Sequence, residues 1–286
     1  MAETATVRPA RLPLGKSSVT YRIAMEPVTV LASGPRALLL QVTHPVVAAG
    51  VAEYSDYEAR PWSRLYKTLE TMMLLAFGTP GLSEKTSRRL RRRHASISGE
   101  LEDGTTYRAL DPHNMVWVWA TLLDTLVVAY ERFVRPLDAD ERDRLYQEWL
   151  LIAEGCGLPR AHCPATWDDF QAYVERVVRD ELGPTQTALT VASQVRRPPL
   201  PLPLRFAAST LLGVLGPGPL PADLRSELGF FWTPVHQALY DGAALASRVG
   251  ARVTPGRLRR LPMALATAGP AYLRFPGVRN RTVAAA

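Results

Sequence analysis

Cysteine is scarce: the 286 residues hold only two, Cys156 and Cys163. They form no Cys-x-x-Cys or Cys-x-x-Cys-His motif, so a zinc knuckle and covalently attached c-type haem both lack their attachment points. Two thiols in a chain of this length fit a reducing compartment. Long apolar runs are missing as well. The longest, around Phe206–Leu215, is too short to span a bilayer. Residues 1–16 are polar and punctuated by proline, without the apolar stretch of a secretory signal. A soluble, cytoplasmic protein is expected. The sequence shows no His-Glu-x-x-His, no Glu-x-x-His, no Walker loop and no Gly-x-Ser-x-Gly elbow. It also has no Gly-x-Gly-x-x-Gly, the fingerprint of a nicotinamide or flavin Rossmann unit.

What is present is an ordinary globular composition, 47% hydrophobic and 21% charged. The net charge of +7 is spread along the chain, with local clusters at Arg88–Arg93 and Arg257–Arg260. No aromatic-interleaved basic ribbon accompanies it, so the excess charge does not point to nucleic acid. Convincing alternating strands are absent and the apolar pattern is helical almost throughout, which predicts an all-α fold. Helices are expected from Pro35, with a break at His44-Pro45, then over Pro61–Phe77, from a cap at Ser83 to about Ser98, and from Asp111-Pro112 to about Phe133. The last is apolar on most of its circumference and is the expected central helix. Further helices are expected after Asp138, after the Thr166–Asp169 capping box, and from Pro184. Arg196–Pro203, with four prolines, reads as an extended linker. The expected organisation is an N-terminal arm (1–24), a main helical bundle (25–195), and a proline-rich linker with C-terminal helices packing on the same domain (196–286).

Chemistry-bearing residues concentrate in two neighbouring helices. Arg64, Lys67, Thr68 and Thr71 stand at i, i+3, i+4 and i+7 and share one face. Such a stripe suits a solvated surface, yet Leu65, Leu69, Met72, Met73, Leu75 and Ala76 leave little of the helix polar. A partly buried cation needs an anionic or carbonyl partner. At about 100° per residue, His94 falls about 40° from Leu90 and about 60° from Ile97, within their apolar stripe. Arg91 sits at the edge of that stripe, while Arg88 and Arg92 point away. An inward histidine suits either a core side chain or a neutral nitrogen ligand for haem iron, with rim cations for propionates. His44 precedes Pro45 at the expected break and suits either a helix-end cap or a catalytic group. His113, second in the helix that opens at Asp111-Pro112, is expected to be exposed, and His162 and His236 show no partner at ligand spacing.

Several segments together resemble the oxygenase MpaB and rubber oxygenase (latex-clearing protein) catalytic-domain family. They are Gly34–Val51 with Leu-Leu-Leu-Gln-Val-Thr-His-Pro-Val-Val-Ala-Ala-Gly-Val, Arg64–Gly78, Arg91–Gly99, Tyr107–Pro112, and Trp117–Leu122. The resemblance implies a globin-like all-α bundle holding non-covalent haem b, with iron bound by His94. It further implies an Arg-x-x-Lys-Thr arrangement near the distal side, matched by Arg64, Lys67 and Thr68. Arg64 and Arg91 are the expected cofactor contacts, and His44, from its place at the helix break, is a further catalytic candidate. Free lysine is protonated at neutral pH, so Lys67 would ligate iron only where its site stabilises the neutral amine. The sequence departs from the family at Trp119, where relatives carry histidine, and Asp56 and Glu58 are the nearest candidates for a carboxylate base. The implied activity is that of a haem-dependent oxygenase acting with dioxygen on a small, apolar, unsaturated substrate. Two alternatives keep the fold without haem. One is an enzyme using His44 with the Asp56/Glu58 region for acid–base or metal chemistry, and the other is a module for a lipid-like ligand. The basic, proline-rich C-terminal third is compatible with a peripheral membrane contact.

Overall fold

The computed structural model describes residues 12–267, apart from the side chains of residues 61–64, 203, 207 and 265–267. The helices are α1 (Val19–Ala24), α2 (Pro27–Val42), α3 (Pro45–Tyr54), α4 (Pro61–Phe77), α5 (Pro80–Ala95), α6 (Pro112–Phe133), α7 (Ala139–Cys156), α8 (Trp167–Asp180), α9 (Gln186–Arg196), α10 (Leu202–Leu215), α11 (Ala222–Glu227), α12 (Pro234–Val253), α13 (Gly256–Arg259) and α14 (Leu261–Thr267). A two-stranded antiparallel ribbon, β1 (Ser98–Glu100) and β2 (Thr106–Arg108), joins α5 to α6. The fold is all-α, as expected, and the ribbon is an addition to that expectation. Its strands are three residues long, too short for alternation to register, and Gly99 lets them close. A Cβ there would come 2.8 Å from the Tyr107 hydroxyl opposite it.

The central helix is α6. Asp111 caps it by accepting the His113 N–H at 2.9 Å, and Pro112 occupies the first turn, where its missing N–H costs nothing. Fourteen of its side chains are buried, from Asn114 to Phe133, so other helices must surround it. On one side Trp119, Leu123 and Val127 join α1 and α7 in the main core. On the other, Trp117 meets Leu39, Leu40, Val191 and Ala192 of α2 and α9.

Helix α2 is the closest neighbour of α6, and a small polar ladder lies between them. The buried Arg36 guanidinium donates to Thr125 Oγ1 at 2.8 Å and pairs with Asp124, while Gln41 donates to Thr121 Oγ1 at 3.2 Å. This helix starts at Pro27, eight residues before the expected start at Pro35, which lies inside it. An interior proline costs about 3 kcal/mol. Burying Leu39 and Leu40 completely returns about 1.5–3 kcal/mol each, so packing outweighs the local penalty. The break at His44-Pro45 falls where expected. The α5 cap is Thr79 rather than Ser83. Ser83 is buried within the helix and donates its hydroxyl to the Leu75 carbonyl at 2.6 Å, stitching α4 to α5. Of the stretch expected to be an extended linker, residues 197–201 alone are non-helical, because α9 runs through Arg196 and Pro203 falls in the first turn of α10.

Helix α1 lies in the stretch read as an N-terminal arm, yet buries Val19 and Ile23 in the main core. It is held by a carboxylate from α7: Glu148 accepts the Val19 N–H at 3.0 Å, the Thr20 N–H at 2.7 Å and the Thr20 hydroxyl at 2.7 Å. Helix α12 seals the C-terminal end of α6, Ser247 donating to the Phe133 carbonyl and Arg248 to that of Glu131, each at 2.7 Å. Helices α10 and α12, in the C-terminal third, leave Phe206, Val235, Leu239 and Val253 exposed. No helix among the described residues is long and apolar enough to cross a membrane.

Two predictions test this frame. Glu148→Ala removes three charge-assisted hydrogen bonds and strands the donors of α1, and urea denaturation is expected to show a loss of about 2–4 kcal/mol. Glu141, buried at the start of α7, accepts two Arg135 hydrogen bonds at 2.7 and 2.8 Å. Those bonds, with the Asp138 N–H and the Arg22 charge, lower its pKa from 4.5 to about 2, against the opposing effect of burial. Because the folded value is depressed, the unfolded chain takes the proton first. The stabilisation is complete above 4.5 and is lost as pH falls towards 2. Unfolding midpoints of Glu141→Gln measured between pH 5 and pH 2 should therefore fall less steeply than those of the unsubstituted protein.

Candidate functional site

The α4–α5 pair places the first group of residues. A tight turn at Gly78-Thr79 joins the two helices, which pack on each other. His94 lies in the last turn of α5 and is half-buried. Its Nδ1 is fully buried and has no hydrogen-bond partner among the described residues. Burial first, and the neighbouring Arg93 charge second, hold its pKa below 6.5, so the imidazole is neutral at physiological pH. The inward placement expected from helical spacing is thus observed. On α4, Lys67 is exposed and Thr68 half-buried, so the face they share lies at the core margin. The side chain of Arg64 lies outside the described residues. Arg91, Arg92 and Arg93 are all exposed, and the stem of Arg91 lies over the left-handed Gly157 (φ 96°) at the end of α7. A Cβ on Gly157 would come 2.7 Å from Arg91 Cδ.

Trp119 is a structural residue. It is 4% exposed, donates Nε1–H to the Trp149 carbonyl at 2.9 Å and meets Phe170 edge-on at 5.7 Å. Two cavities lie away from these residues. One, of about 350 Å³, is lined by Arg22, Arg135, Arg248, Arg252, Arg259 and Arg260 among others, and one of about 520 Å³ lies between α6 and α12. Neither is lined by His94, Lys67, Thr68 or His44.

His44 belongs to a second group. It occupies the N-cap position of α3, but its side chain caps nothing. It is 5% exposed, stacks on Trp117 with ring centroids 6.3 Å apart, and turns its Nε2 towards Glu181 at 3.7 Å. His113, four residues before Trp117 on α6, brings its own Nε2 to 3.6 Å from the same Glu181 oxygen. The carboxylate that faces His44 is therefore Glu181, at the C-terminal cap of α8, rather than the expected Asp56 or Glu58. Those two are exposed in the α3–α4 loop, where Glu58 accepts the Tyr57 hydroxyl at 3.0 Å. Burial lowers the pKa of His44, with His113 acting in the same direction and Glu181 opposing. Sequence reasoning missed Glu181 and read His113 as exposed, which it is, without placing it beside His44. The available signal was the Asp-Pro-His start of α6, which fixes His113 in the first turn. His162 is exposed, and His236 completes the capping box of α12, its Nδ1 2.8 Å from Thr233 Oγ1.

Over residues 21–249 the chain matches the family described as ER-bound oxygenase mpaB/B'/Rubber oxygenase, catalytic domain. Both residue groups lie inside that span. Two uncharacterized proteins, Mb2261 of Mycobacterium bovis and Rv2237 of Mycobacterium tuberculosis, are each 24% identical over 229 residues, which is 77% of this chain and 88% of theirs. No solved structure gives a significant match. With four-fifths of its length in that match, the chain belongs to the mpaB/rubber oxygenase catalytic-domain family, a family of oxygenases.

Proposed function

We propose that this oxygenase depends on haem b, held through His94, and acts with dioxygen on a small, apolar, unsaturated substrate. The observation that carries the reading is the state of His94: a desolvated imidazole, neutral at physiological pH, with a buried ring nitrogen that no described residue satisfies. A buried polar atom without a partner costs about 1–3 kcal/mol, so it asks for a functional explanation. Iron ligation by the neutral imidazole, a standard haem ligand, offsets the cost of desolvating the ring, and only a bond at Nδ1 would satisfy that atom itself. The rest of the donor set also fits this group. Haem b carries two propionates, and Arg91, at the edge of the His94 stripe, and Arg93, whose charge acts on His94, are exposed cations beside it.

Bound haem would supply the iron chemistry with dioxygen. The protein would supply position and surroundings. His94 fixes the ligand at the end of a helix whose other end is stitched to α4. Lys67 offers a cation to a propionate or to a polarised oxygen, and Thr68, half-buried beside it, offers a hydroxyl hydrogen bond. Trp119 takes no part in this reading, because its one polar atom is already used within the core.

Absorption spectroscopy tests it. Protein expressed with haem supplementation, or reconstituted with hemin, is expected to show a Soret band that His94→Ala abolishes while the helical circular dichroism is retained. Protein that stays colourless after reconstitution, or a band unchanged in His94→Ala, overturns the assignment.

A further inference from the structure

We propose that His44, His113 and Glu181 form a divalent transition-metal site of the zinc class, separate from His94, with one coordination position open to solvent. Three elements far apart in sequence converge there: the α2–α3 junction, the first turn of α6 and the end of α8. Each offers one ligand atom, and the three atoms lie within 4.8 Å of one another. Both histidine Nε2 atoms point at the same carboxylate oxygen, Glu181 Oε2, at 3.7 and 3.6 Å. Those gaps are too long for hydrogen bonds. They are close to the ligand–ligand edge of about 3.3–3.5 Å set by a tetrahedral ion with bonds of about 2.0–2.2 Å.

Independent support comes from His44. Its side chain is 6% exposed, it caps no helix, and its Nδ1 has no partner among the described residues. Coordination through Nε2 offsets part of the cost of desolvating this ring, while Nδ1 keeps its own, since a metal bond at one nitrogen does not satisfy the other. Glu181 is oriented from behind. Its other oxygen, Oε1, accepts a hydrogen bond from Arg176 Nη1 at 2.5 Å, leaving Oε2 for the histidines. The loop after α8 is tied to the α2–α3 junction, with the Gly183 N–H donating to the Thr43 carbonyl at 3.1 Å and the Thr185 hydroxyl to that of Val42 at 2.6 Å. Glu181 and His44 thus sit on backbone that is already joined.

The donor set chooses the metal class. Two imidazoles and one carboxylate favour zinc and its first-row neighbours over magnesium or calcium, which take oxygen ligands. His113 has a side chain 61% exposed, so water reaches the ion from that side and can fill the remaining position. Three protein ligands with an open place is the arrangement of catalytic rather than purely structural zinc.

Tag-free, chelator-dialysed full-length protein titrated with Zn2+ by calorimetry is expected to bind one ion per chain and to unfold at a higher temperature when loaded. His113→Ala and Glu181→Gln, both at partly exposed positions, should weaken binding at least about tenfold while retaining the circular dichroism of the unsubstituted protein, and Arg176→Gln by about tenfold. His94→Ala should leave the stoichiometry and affinity unchanged, which separates this site from the haem assignment. Absence of saturable Zn2+ binding overturns the proposal. Binding that persists unchanged in His113→Ala and Glu181→Gln, or that disappears in His94→Ala alone, overturns it as well.

Discussion

A 22-residue helix with almost no polar face has to be enclosed, and that requirement organises the whole molecule. Helix α6 buries residues around its circumference, so α1, α2, α7, α8 and α12 all gather on it. Hydrophobic burial is non-directional and does not by itself decide which helix lies where. The direction comes from a few polar contacts set into the apolar surface. Arg36 and Gln41 fix the rotation of α2 through Asp124, Thr125 and Thr121, since leaving such groups unpaired would cost several kcal/mol. Glu148 does the same for α1 from the outside.

Enclosing α6 leaves its N-terminal turn as the part that reaches the surface, and there His113 emerges beside the α2–α3 break and the end of α8. The same geometry explains why Trp119 is a packing residue. One and a half turns deeper on α6, it is surrounded by Tyr146, Phe170 and the α7 backbone. The α4–α5 pair stands to one side of this core. Its inner face supplies Leu75 and Ala76, and its margin carries Lys67, Thr68 and the half-buried His94. One helix thus sets a largely apolar interior, and the histidines of the two candidate groups lie where elements end, His44 and His113 at helix starts and His94 in the last turn of α5.

Much of this was readable in the sequence where local chemistry is decisive. The Pro61 and Asp111-Pro112 starts gave α4 and α6 their limits, because a first-turn proline and a capping carboxylate act within a few residues. Gly157 closed α7 for the same reason. The start of α2 was not readable, because only tertiary packing outweighs the penalty at Pro35. Of the candidate residues, His94 was placed correctly by helical periodicity alone. Its partnerless nitrogen was not visible, since satisfaction depends on every neighbour. Glu181 was out of reach for a plainer reason: nothing local links the end of α8 to His44, and only the packed bundle brings them to one point.

The buried Glu26 carries a consequence of a different kind. It is 1% exposed, and its carboxylate is held by Arg259 and Arg260 near the far end of the described chain. Its counter-charges lie more than two hundred residues downstream. At about 5–20 residues per second, a ribosome takes roughly 10–45 s to deliver them. Through that interval the carboxylate at the α1–α2 junction has to stay in contact with water, because burying it unpaired would cost several kcal/mol. The covering of that junction is therefore a late contact in the described chain, made only once Arg259 and Arg260 have been synthesised.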